Sequence, residues 1–333
     1  MAELVIDTKK IIGNIQKISS YLKKYDKKWS LITKVFSGDE DLLKIVLKKD
    51  VFEDIHSVGD SRLSSLKNLK KVNPNLITIY IKPPAEIYAD EVVQYADISL
   101  NSSLRTIKSL NKAAQKQNKI HKIIIMIELG ELREGVQRDV FMEFYESIFN
   151  LSNIEVIGLG SNLGCMYGVE PTYDKLLQLC LYKELIQAKF DKNIELISGG
   201  SSITLPLLEK NVVPADMNHF RIGEAAFFGT SPLDNEQFMN LETTAFEFYA
   251  NIIELEEKHI VPDGVISDAS IGHTAEYEDN DFSETTYKAI LDFGMLDVDR
   301  EEIFPCDKDI NFVGITSDML VIDLGDNPKK YKV

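Results

Sequence analysis

A lysine stands at the end of an apolar run near the start of the chain. The run is "SLIT" at residues 30–33, and Lys34 follows it directly, before "VFSGD". A lysine in such a place commonly extends its ammonium group into solvent along its four-carbon stem. A desolvated lysine at the end of a strand is instead suited to attack a carbonyl compound and form a Schiff base. Lys34 is therefore our candidate for covalent capture of an aldehyde.

Two glycine-containing stretches later in the chain have the composition of anion-binding turns. They are "SGGSS" at 198–202 and "RIGEAAFFG" at 221–229. Small residues expose backbone N–H groups and hydroxyls, which bind phosphate. A Gly-Gly-Ser string is also a common flexible turn. Because the two stretches follow consecutive predicted strands, we expect one shared phosphate site, with Gly223 contributing to it.

Three further polar residues follow predicted strands in the middle of the chain. Arg133 lies in "ELGELREG" (128–135), and Asn162 and Cys165 lie in "SNLGC" (161–165). The charged string is equally compatible with a solvated loop. Read as site residues, Arg133 has a planar fork suited to a carboxylate, and Asn162 and Cys165 lie close to the same ligand. Cys165 and Cys180 are also compatible with small packing residues.

Eight short strand-like runs alternate with segments of helical pattern. Each candidate residue lies at the end of one of these predicted strands or in the loop that follows it. Strand followed by helix predicts parallel strands, and eight such units in about 200 residues favour a closed eight-stranded α/β barrel over an open sheet. In a barrel, chemistry occurs at the C-terminal ends of the strands. The predicted strands are 29–34, 53–58, 76–81, 97–100, 122–129, 154–160, 194–199 and 219–223. The stretches 102–117, with Ser102 or Ser103 as its N-cap, and 172–190 are predicted helices.

After residue 235 the pattern changes to alternating strands and turns with little helix. We therefore predict an α/β barrel over residues 1–234 and a mainly-β domain over 235–333, with "SPLDNEQF" (231–238) as the connector.

Composition argues against several classes of protein. The chain has 333 residues, 44% of them hydrophobic, and 53 acidic residues against 37 basic ones give a net charge of −16. Such a charge disfavours binding to nucleic acid or to anionic membranes. The three cysteines lack the spacing of a zinc site and suit reduced thiols, so we predict a cytoplasmic protein without a metal. No sufficiently long apolar run predicts a membrane span.

A lysine for an aldehyde, together with a phosphate site across a barrel opening, points to pyridoxal 5'-phosphate. With these residues in view, the chain resembles the alanine racemase-like, fold type III pyridoxal-phosphate enzymes, and among them the ornithine racemase group. The resemblance runs over nearly the whole chain and is carried by "ITKVFSGD", "ADISLNSSL", "IMIELGELREGV", "GLGSNLGCMYGV", "ISGGSS" and "HFRIGEAAFFG".

The resemblance implies roles for individual residues. Lys34 would bind the cofactor aldehyde, and Arg133 would bind the substrate carboxylate. Asn162 would lie against the cofactor ring, and Arg221 would face the pyridine nitrogen. The phosphate would be held by Ser201, Ser202, Gly223 and Glu224, the last through its backbone N–H.

Racemisation requires acid–base groups on both faces of the α-carbon. Lys34 would serve one face. The second group in alanine racemases is a tyrosine of the partner subunit, and the matching segment "GVISDAS" places Asp268 there, with Cys165 and His273 as further candidates. The chain departs from the ornithine group at Ser201, where asparagine is usual, and at Lys82 in "YIKPP".

The resemblance thus implies an amino-acid racemase that acts on a small or cationic amino acid, ornithine-like or alanine, as a homodimer with shared active sites. Three alternatives stay open at this point. They are a pyridoxal-phosphate decarboxylase or epimerase on the same fold, a non-catalytic protein of cofactor homeostasis, and a barrel in which Lys34 is an ordinary surface cation.

Overall fold

The computed structural model describes residues 2–48, 54–264, 273–274 and 284–333. These residues group into two compact units. One comprises Asp7–Ala245, and the other comprises the N-terminal residues up to Ile6 together with Phe246–Val333. No helix in the described residues has the length and apolar character needed to cross a bilayer.

The strands are numbered in chain order. They are β1 (Glu3–Ile6), β2 (Lys28–Ile32), β3 (Ser57–Asp60), β4 (Thr78–Tyr80), β5 (Ile98–Asn101), β6 (His121–Met126), β7 (Ile154–Gly160), β8 (Leu196–Ser198), β9 (His219–Ile222), β10 (Thr230–Ser231), β11 (Glu236–Gln237), β12 (Phe246–Tyr249), β13 (Ile252–His259), β14 (His273–Thr274), β15 (Thr285–Leu291), β16 (Asn311–Ile315) and β17 (Leu320–Asp323).

The α-helices of the described residues all belong to the larger unit. They are α1 (Thr8–Lys24), α2 (Glu40–Val46), α3 (Leu63–Val72), α4 (Ala89–Tyr95), α5 (Leu104–Lys116), α6 (Phe141–Glu146), α7 (Tyr173–Phe190), α8 (Leu205–Glu209) and α9 (Glu224–Phe228). Helix α1 is capped by Asp7, whose side chain accepts hydrogen bonds from the backbone N–H groups of Lys9 and Lys10 at 3.0 and 3.2 Å. Helix α5 begins after Ser103, one of the two predicted caps.

Eight parallel strands form a nearly closed barrel in the order β9, β2, β3, β4, β5, β6, β7, β8. The two end strands approach each other through Gly200, whose carbonyl accepts the N–H of Arg221 at 2.9 Å. Buried aliphatic side chains from neighbouring strands, among them Ile79, Ile98 and Ile124, pack into a continuous core. Each such side chain contributes about 1.5–3 kcal/mol when fully buried. The predicted barrel is confirmed.

The predicted mainly-β region is confirmed as well. In the smaller unit, β13, β15, β17, β16 and β14 form an antiparallel sheet, and β1 pairs with β12. The predicted connector at 231–238 overlaps the hairpin β10–β11, which begins one residue earlier. The domain limits of 1–234 and 235–333 stay a prediction.

Candidate active site

Lys34 lies directly after the first barrel strand. The preceding Thr33 is buried and donates from its backbone N–H and its hydroxyl to the Gly59 carbonyl, at 2.8 and 3.2 Å. These bonds fix the end of β2, and Lys34 then begins a short 3-10 turn that ends at Phe36. The Lys34 side chain is exposed and has no hydrogen bond or ion pair within the described residues. The desolvation expected from the sequence is therefore not found at Lys34, and its amine is accessible to a small molecule.

The turn that carries Lys34 packs against the segment that follows β9. The Phe36 ring lies 5.0 Å from the ring of Phe227 on α9, in an edge-to-face arrangement. At the start of α9, a Cβ atom added to Gly223 would lie 3.3 Å from the Ile32 carbonyl. The structure therefore brings the predicted anion turn and the end of the Lys34 strand together.

The two predicted anion turns are also in direct contact. The Ser202 hydroxyl is buried and accepts a hydrogen bond from the Ala225 N–H at 3.2 Å. Ser201 precedes a 3-10 turn over Ser202–Thr204, and its N–H donates to the Thr204 hydroxyl at 3.3 Å. Because the Ser202 oxygen accepts from Ala225, its own proton is available for an acceptor such as phosphate. The Glu224 side chain, in contrast, is exposed and accepts the Thr230 hydroxyl at 3.3 Å.

Arg221 is the most deeply embedded cation of the site. It lies on β9, and its terminal nitrogens donate to the Ser198 carbonyl and hydroxyl at 2.5 and 2.6 Å, to the Ser161 carbonyl at 2.7 Å and to Asn162 Oδ1 at 3.0 Å. Burial lowers the pKa of Arg221 to about 10, so the guanidinium is still charged at neutral pH. Its Nε–H has no hydrogen-bond partner among the described residues. This N–H is left for an acceptor from outside the chain.

A column of buried hydroxyl and imidazole groups, each hydrogen-bonded to the next, leads away from Arg221 and holds its partner Ser198 in place. The Ser198 hydroxyl also contacts His219 Nδ1 at 2.7 Å, and His219 Nε2 contacts the Ser30 hydroxyl at 3.0 Å. Complete burial, with smaller contributions from neighbouring cations, holds the pKa of His219 well below its usual range. The imidazole is therefore neutral and serves the hydroxyls as a hydrogen-bond partner. The column was missed by the sequence reasoning, because isolated serines in apolar strands carry no distinctive signal.

Arg133 and Asn162 are joined by a residue that the sequence reasoning did not select. The Glu134 side chain is only 6% exposed and accepts from Arg133 Nε and, at 2.6 Å, from Arg133 NH2. The same carboxylate accepts from Asn162 Nδ2. The hydrogen bonds to Glu134 are the main reason why the pKa of Arg133 is raised. The sequence signal that could have identified Glu134 is its position next to Arg133 in "ELGELREG".

Cys165 lies on the exposed loop after β7, where Arg133 NH1 donates to its sulfur. A second buried acid, Glu131, holds this loop by accepting the backbone N–H groups of Cys165, Tyr167 and Val169 at 3.1, 2.9 and 2.8 Å. Burial opposes ionisation of Glu131, but these N–H groups prevail and lower its pKa. Glu131 thereby fixes where Cys165 lies.

The predicted second acid–base group is not placed by these observations. Asp268 lies outside the described residues, and of His273 only the backbone is described, which pairs with Ile315. Their roles stay predictions. Lys82, two residues beyond β4, has an exposed side chain.

Comparison with known proteins identifies the family. The model of the alanine racemase N-terminal domain matches residues 6–232. The ornithine racemase of Acetoanaerobium sticklandii is 34% identical over 332 residues, which is 99% of this chain and 92% of the relative. The chain belongs to the alanine racemase N-terminal domain family. The family predicted from the sequence is confirmed.

One further sequence relative and two solved structures resemble the chain, and the two structures show the same fold. The lysine racemase of Thermotoga maritima is 29% identical over 97% of this chain and 88% of that protein. The alanine racemase of Bartonella henselae, solved with covalently bound pyridoxal phosphate, has a TM-score of 0.72 at 16% identity, and covers 99% of this chain and 88% of its own. A D-threonine aldolase from Filomicrobium marinum has a TM-score of 0.69 at 14% identity, over 97% and 81% of the two chains. Since a racemase and an aldolase share this fold, the fold alone does not decide the reaction.

Proposed function

We propose that this chain is a pyridoxal-phosphate-dependent racemase of a basic amino acid such as ornithine or lysine. The racemase function predicted from the sequence is confirmed at the level of an amino-acid racemase by the family and by the two racemase relatives. Both relatives named for a basic substrate match nearly the whole chain. The structural observation that supports the racemase chemistry is the buried Arg221, whose Nε–H has no partner in the described part of the chain, whereas the choice of a basic substrate rests on the two relatives.

The residues at the barrel opening fit the cofactor. Lys34 supplies an accessible amine for the aldehyde, and the hydroxyl proton of Ser202 and the turn that begins at Gly223 supply donors for the phosphate. Arg221 supplies an N–H for the pyridine nitrogen. When bound, pyridoxal phosphate supplies an electron sink for the charge left on the α-carbon after proton removal.

Arg221 determines how strong that electron sink is. A guanidinium very rarely gives up its proton, so Arg221 would donate a hydrogen bond to the ring nitrogen of the cofactor without protonating it. A cofactor held in this way would take up less of the charge, which would favour simple removal and return of the α-proton over side reactions. Asn162 holds Arg221 by accepting one of its N–H groups at 3.0 Å.

The remaining roles complete the acid–base scheme. Lys34 takes or returns the α-proton on one face, and we assign the other face to Asp268, with Cys165 and His273 as further candidates. Arg133 binds the substrate carboxylate through charge-assisted hydrogen bonds. We further propose a cytoplasmic homodimer with shared active sites, which sedimentation equilibrium tests directly. A monomeric, fully active enzyme would contradict it.

Proton exchange and chirality test the reaction. Purified protein is incubated with pyridoxal phosphate and L-ornithine, L-lysine or L-alanine in deuterated water, and both α-deuteration and the D-isomer are measured. We expect exchange and D-isomer with at least one basic amino acid at a higher rate than with alanine. Carbon dioxide release would indicate a decarboxylase instead, and cofactor binding without exchange on any substrate would indicate a non-catalytic carrier.

Variants test the assigned residues. Lys34→Ala is expected to abolish the absorbance band of lysine-bound cofactor and the exchange reaction. Lys44→Ala serves as the matched control, because Lys44 is an exposed lysine of α2 paired with Asp41 at 3.1 Å. Asp268→Asn is expected to retain the absorbance band and lose D-isomer formation. If it racemises at the wild-type rate, Asp268 has no role as the second group.

A further inference from the structure

The Glu134 carboxylate joins the residue proposed to bind substrate to the residue proposed to face the cofactor. It is almost completely buried, accepts two N–H groups of Arg133 and accepts the amide of Asn162, whose oxygen in turn accepts Arg221. We propose that Glu134 is a positioning residue of the racemase, which fixes the guanidinium of Arg133 for the substrate carboxylate and the amide of Asn162 for Arg221. This inference rests on the proposed function, because it assigns Glu134 a task in substrate binding.

The hydrogen bonds of Arg133 define which part of its guanidinium remains for a ligand. A guanidinium has five N–H groups in a rigid plane. Glu134 takes the Nε–H and one N–H of NH2, and Cys165 takes one N–H of NH1. One N–H on each terminal nitrogen is left. A substrate carboxylate can therefore bind Arg133 only through its two terminal nitrogens. Glu134 already occupies the edge of the guanidinium that Nε and NH2 form.

The orientation of the Asn162 amide follows from the same carboxylate. Only the amide nitrogen can donate to Glu134, and only the amide oxygen can accept from Arg221. The two contacts therefore hold the amide in one orientation. Without the carboxylate, the Asn162 amide loses the partner of its nitrogen and is free to rotate away from Arg221.

The charge of Glu134 is also suited to this place. Two guanidinium groups, Arg133 and Arg221, are held close to it, and two cations near each other repel unless an anion lies between them. Glu134 favours the charged form of Arg221, and Arg133 opposes it. Glutamine has nearly the same shape as glutamate but lacks this charge, so Glu134→Gln separates charge from packing.

Steady-state kinetics of the cofactor-loaded enzyme test the inference. Loss of a charge-assisted hydrogen bond that orients a binding residue weakens binding by roughly 10-fold or more. We expect Glu134→Gln to raise KM for the basic amino acid by about that factor, with a smaller effect on kcat. Glu184→Gln, an exposed acid on α7, is the control for loss of one negative charge. A residue that only stabilises the fold would change the melting temperature without this change in KM.

Two further measurements extend the test, and the first of them does not depend on activity. The dissociation constant of pyridoxal phosphate, titrated by absorbance, is expected to rise in Glu134→Gln through the loosened contact between Asn162 and Arg221. The double variant Arg133→Met/Glu134→Gln is expected to have a KM within threefold of that of Arg133→Met alone, because Glu134 acts through Arg133. Glu134→Asp keeps the charge but shortens the side chain. It replaces the glutamine variant in these measurements if that variant does not fold.

The possible results separate this inference from the proposed function. Wild-type protein that racemises no basic amino acid contradicts the proposed function whatever the variants do. In that case, the coupling between Glu134→Gln and Arg133→Met in the unfolding free energy of the cofactor-free protein decides whether the link exists. Wild-type racemisation with an unchanged KM in Glu134→Gln, or additive effects in the double variant, overturns the role of Glu134.

Discussion

Replacing Arg221 by lysine keeps a positive charge but removes the planar fork, and the structure predicts a large loss of stability. The terminal nitrogens of Arg221 donate to groups after two different strands, Ser198 at the end of β8 and Ser161 just beyond β7. A lysine has one nitrogen and cannot reach both sets of acceptors in the same way. At least one buried carbonyl then loses its partner.

The magnitude follows from the bonds that are lost. Hydrogen bonds to a charged group contribute about 1.5–3 kcal/mol each, and a buried acceptor left without a partner costs about 1–3 kcal/mol. If lysine retains the Ser198 contacts and loses those to Ser161 and Asn162, we expect the free energy of unfolding to fall by about 3 kcal/mol. Burial also lowers the pKa of a lysine, so its amine can lose the charge altogether.

Urea unfolding of the cofactor-free protein at pH 7, followed by far-ultraviolet circular dichroism, measures this effect. Arg138→Lys is the matched control, because Arg138 is exposed and its NH1 donates only to Gln178 at 3.2 Å. Its unfolding free energy should stay within about 0.5 kcal/mol of the wild type. If Arg221→Lys is also within about 1 kcal/mol of the wild type, the hydrogen bonds of Arg221 do not have the strength assigned to them.

Two further changes affect the loops that hold the site. Gly135 has a φ of +153°, and an added Cβ would lie 2.4 Å from the Glu128 backbone nitrogen, so Gly135→Ala should destabilise the protein by about 2 kcal/mol or more and raise KM by displacing Glu134. Gly168→Ala is its control, with positive φ but open space around the added atom, and equal melting temperatures for the two variants would contradict the steric argument. For Glu131, whose folded pKa is lowered, the stabilisation is present above the unfolded pKa and is lost as pH falls through the folded value. Urea unfolding from pH 7 to pH 3 should therefore show Glu131→Gln less stable at neutral pH and the difference narrowing as the pH falls, whereas a constant difference would show that charge is not the cause.

The barrel was predictable because its strands are runs of β-branched and other apolar residues, separated by helical patterns. The exception in position is β3, predicted at 53–58 and found at Ser57–Asp60. Gly59 and Asp60 have poor strand propensity, but Asp60 is fully buried and accepts the Arg62 N–H at 2.9 Å. Its burial depends on contacts that local sequence does not display.

The pairing of β1 with β12 was not predictable for a related reason. Glu3 faces Tyr249 and Ile6 faces Phe246, so the partners are separated by 240 residues or more along the chain. A four-residue strand with no neighbour in sequence gives only a weak local signal. Long-range pairing of this kind follows from the folded arrangement and not from periodicity.

The site was predictable where a polar residue interrupts or ends an apolar strand, as Lys34 and Arg221 do. It was not predictable where the carboxylate that organises the site lies in a charged segment of the sequence. Glu131 and Glu134 lie in "ELGELREG", and such strings are usually solvated. Both carboxylates are buried only because backbone N–H groups, a guanidinium and an amide converge on them from the loops after β6 and β7.

The charge of the whole chain and the charge of the site have opposite signs, and the difference bears on substrate choice. The chain has a net charge of −16, yet the barrel residues proposed to bind ligands include Lys34, Arg133 and Arg221, with Glu134 bonded to Arg133. A cationic site suits the phosphate of the cofactor and the carboxylate of any amino acid. At physiological salt, exposed charges are screened beyond about 8 Å, so the net charge has little influence on a side chain already bound in the site. The preference for a basic amino acid over alanine must therefore come from contacts with the substrate side chain. The argument for ornithine or lysine rests on the two racemase relatives and not on the acidic composition.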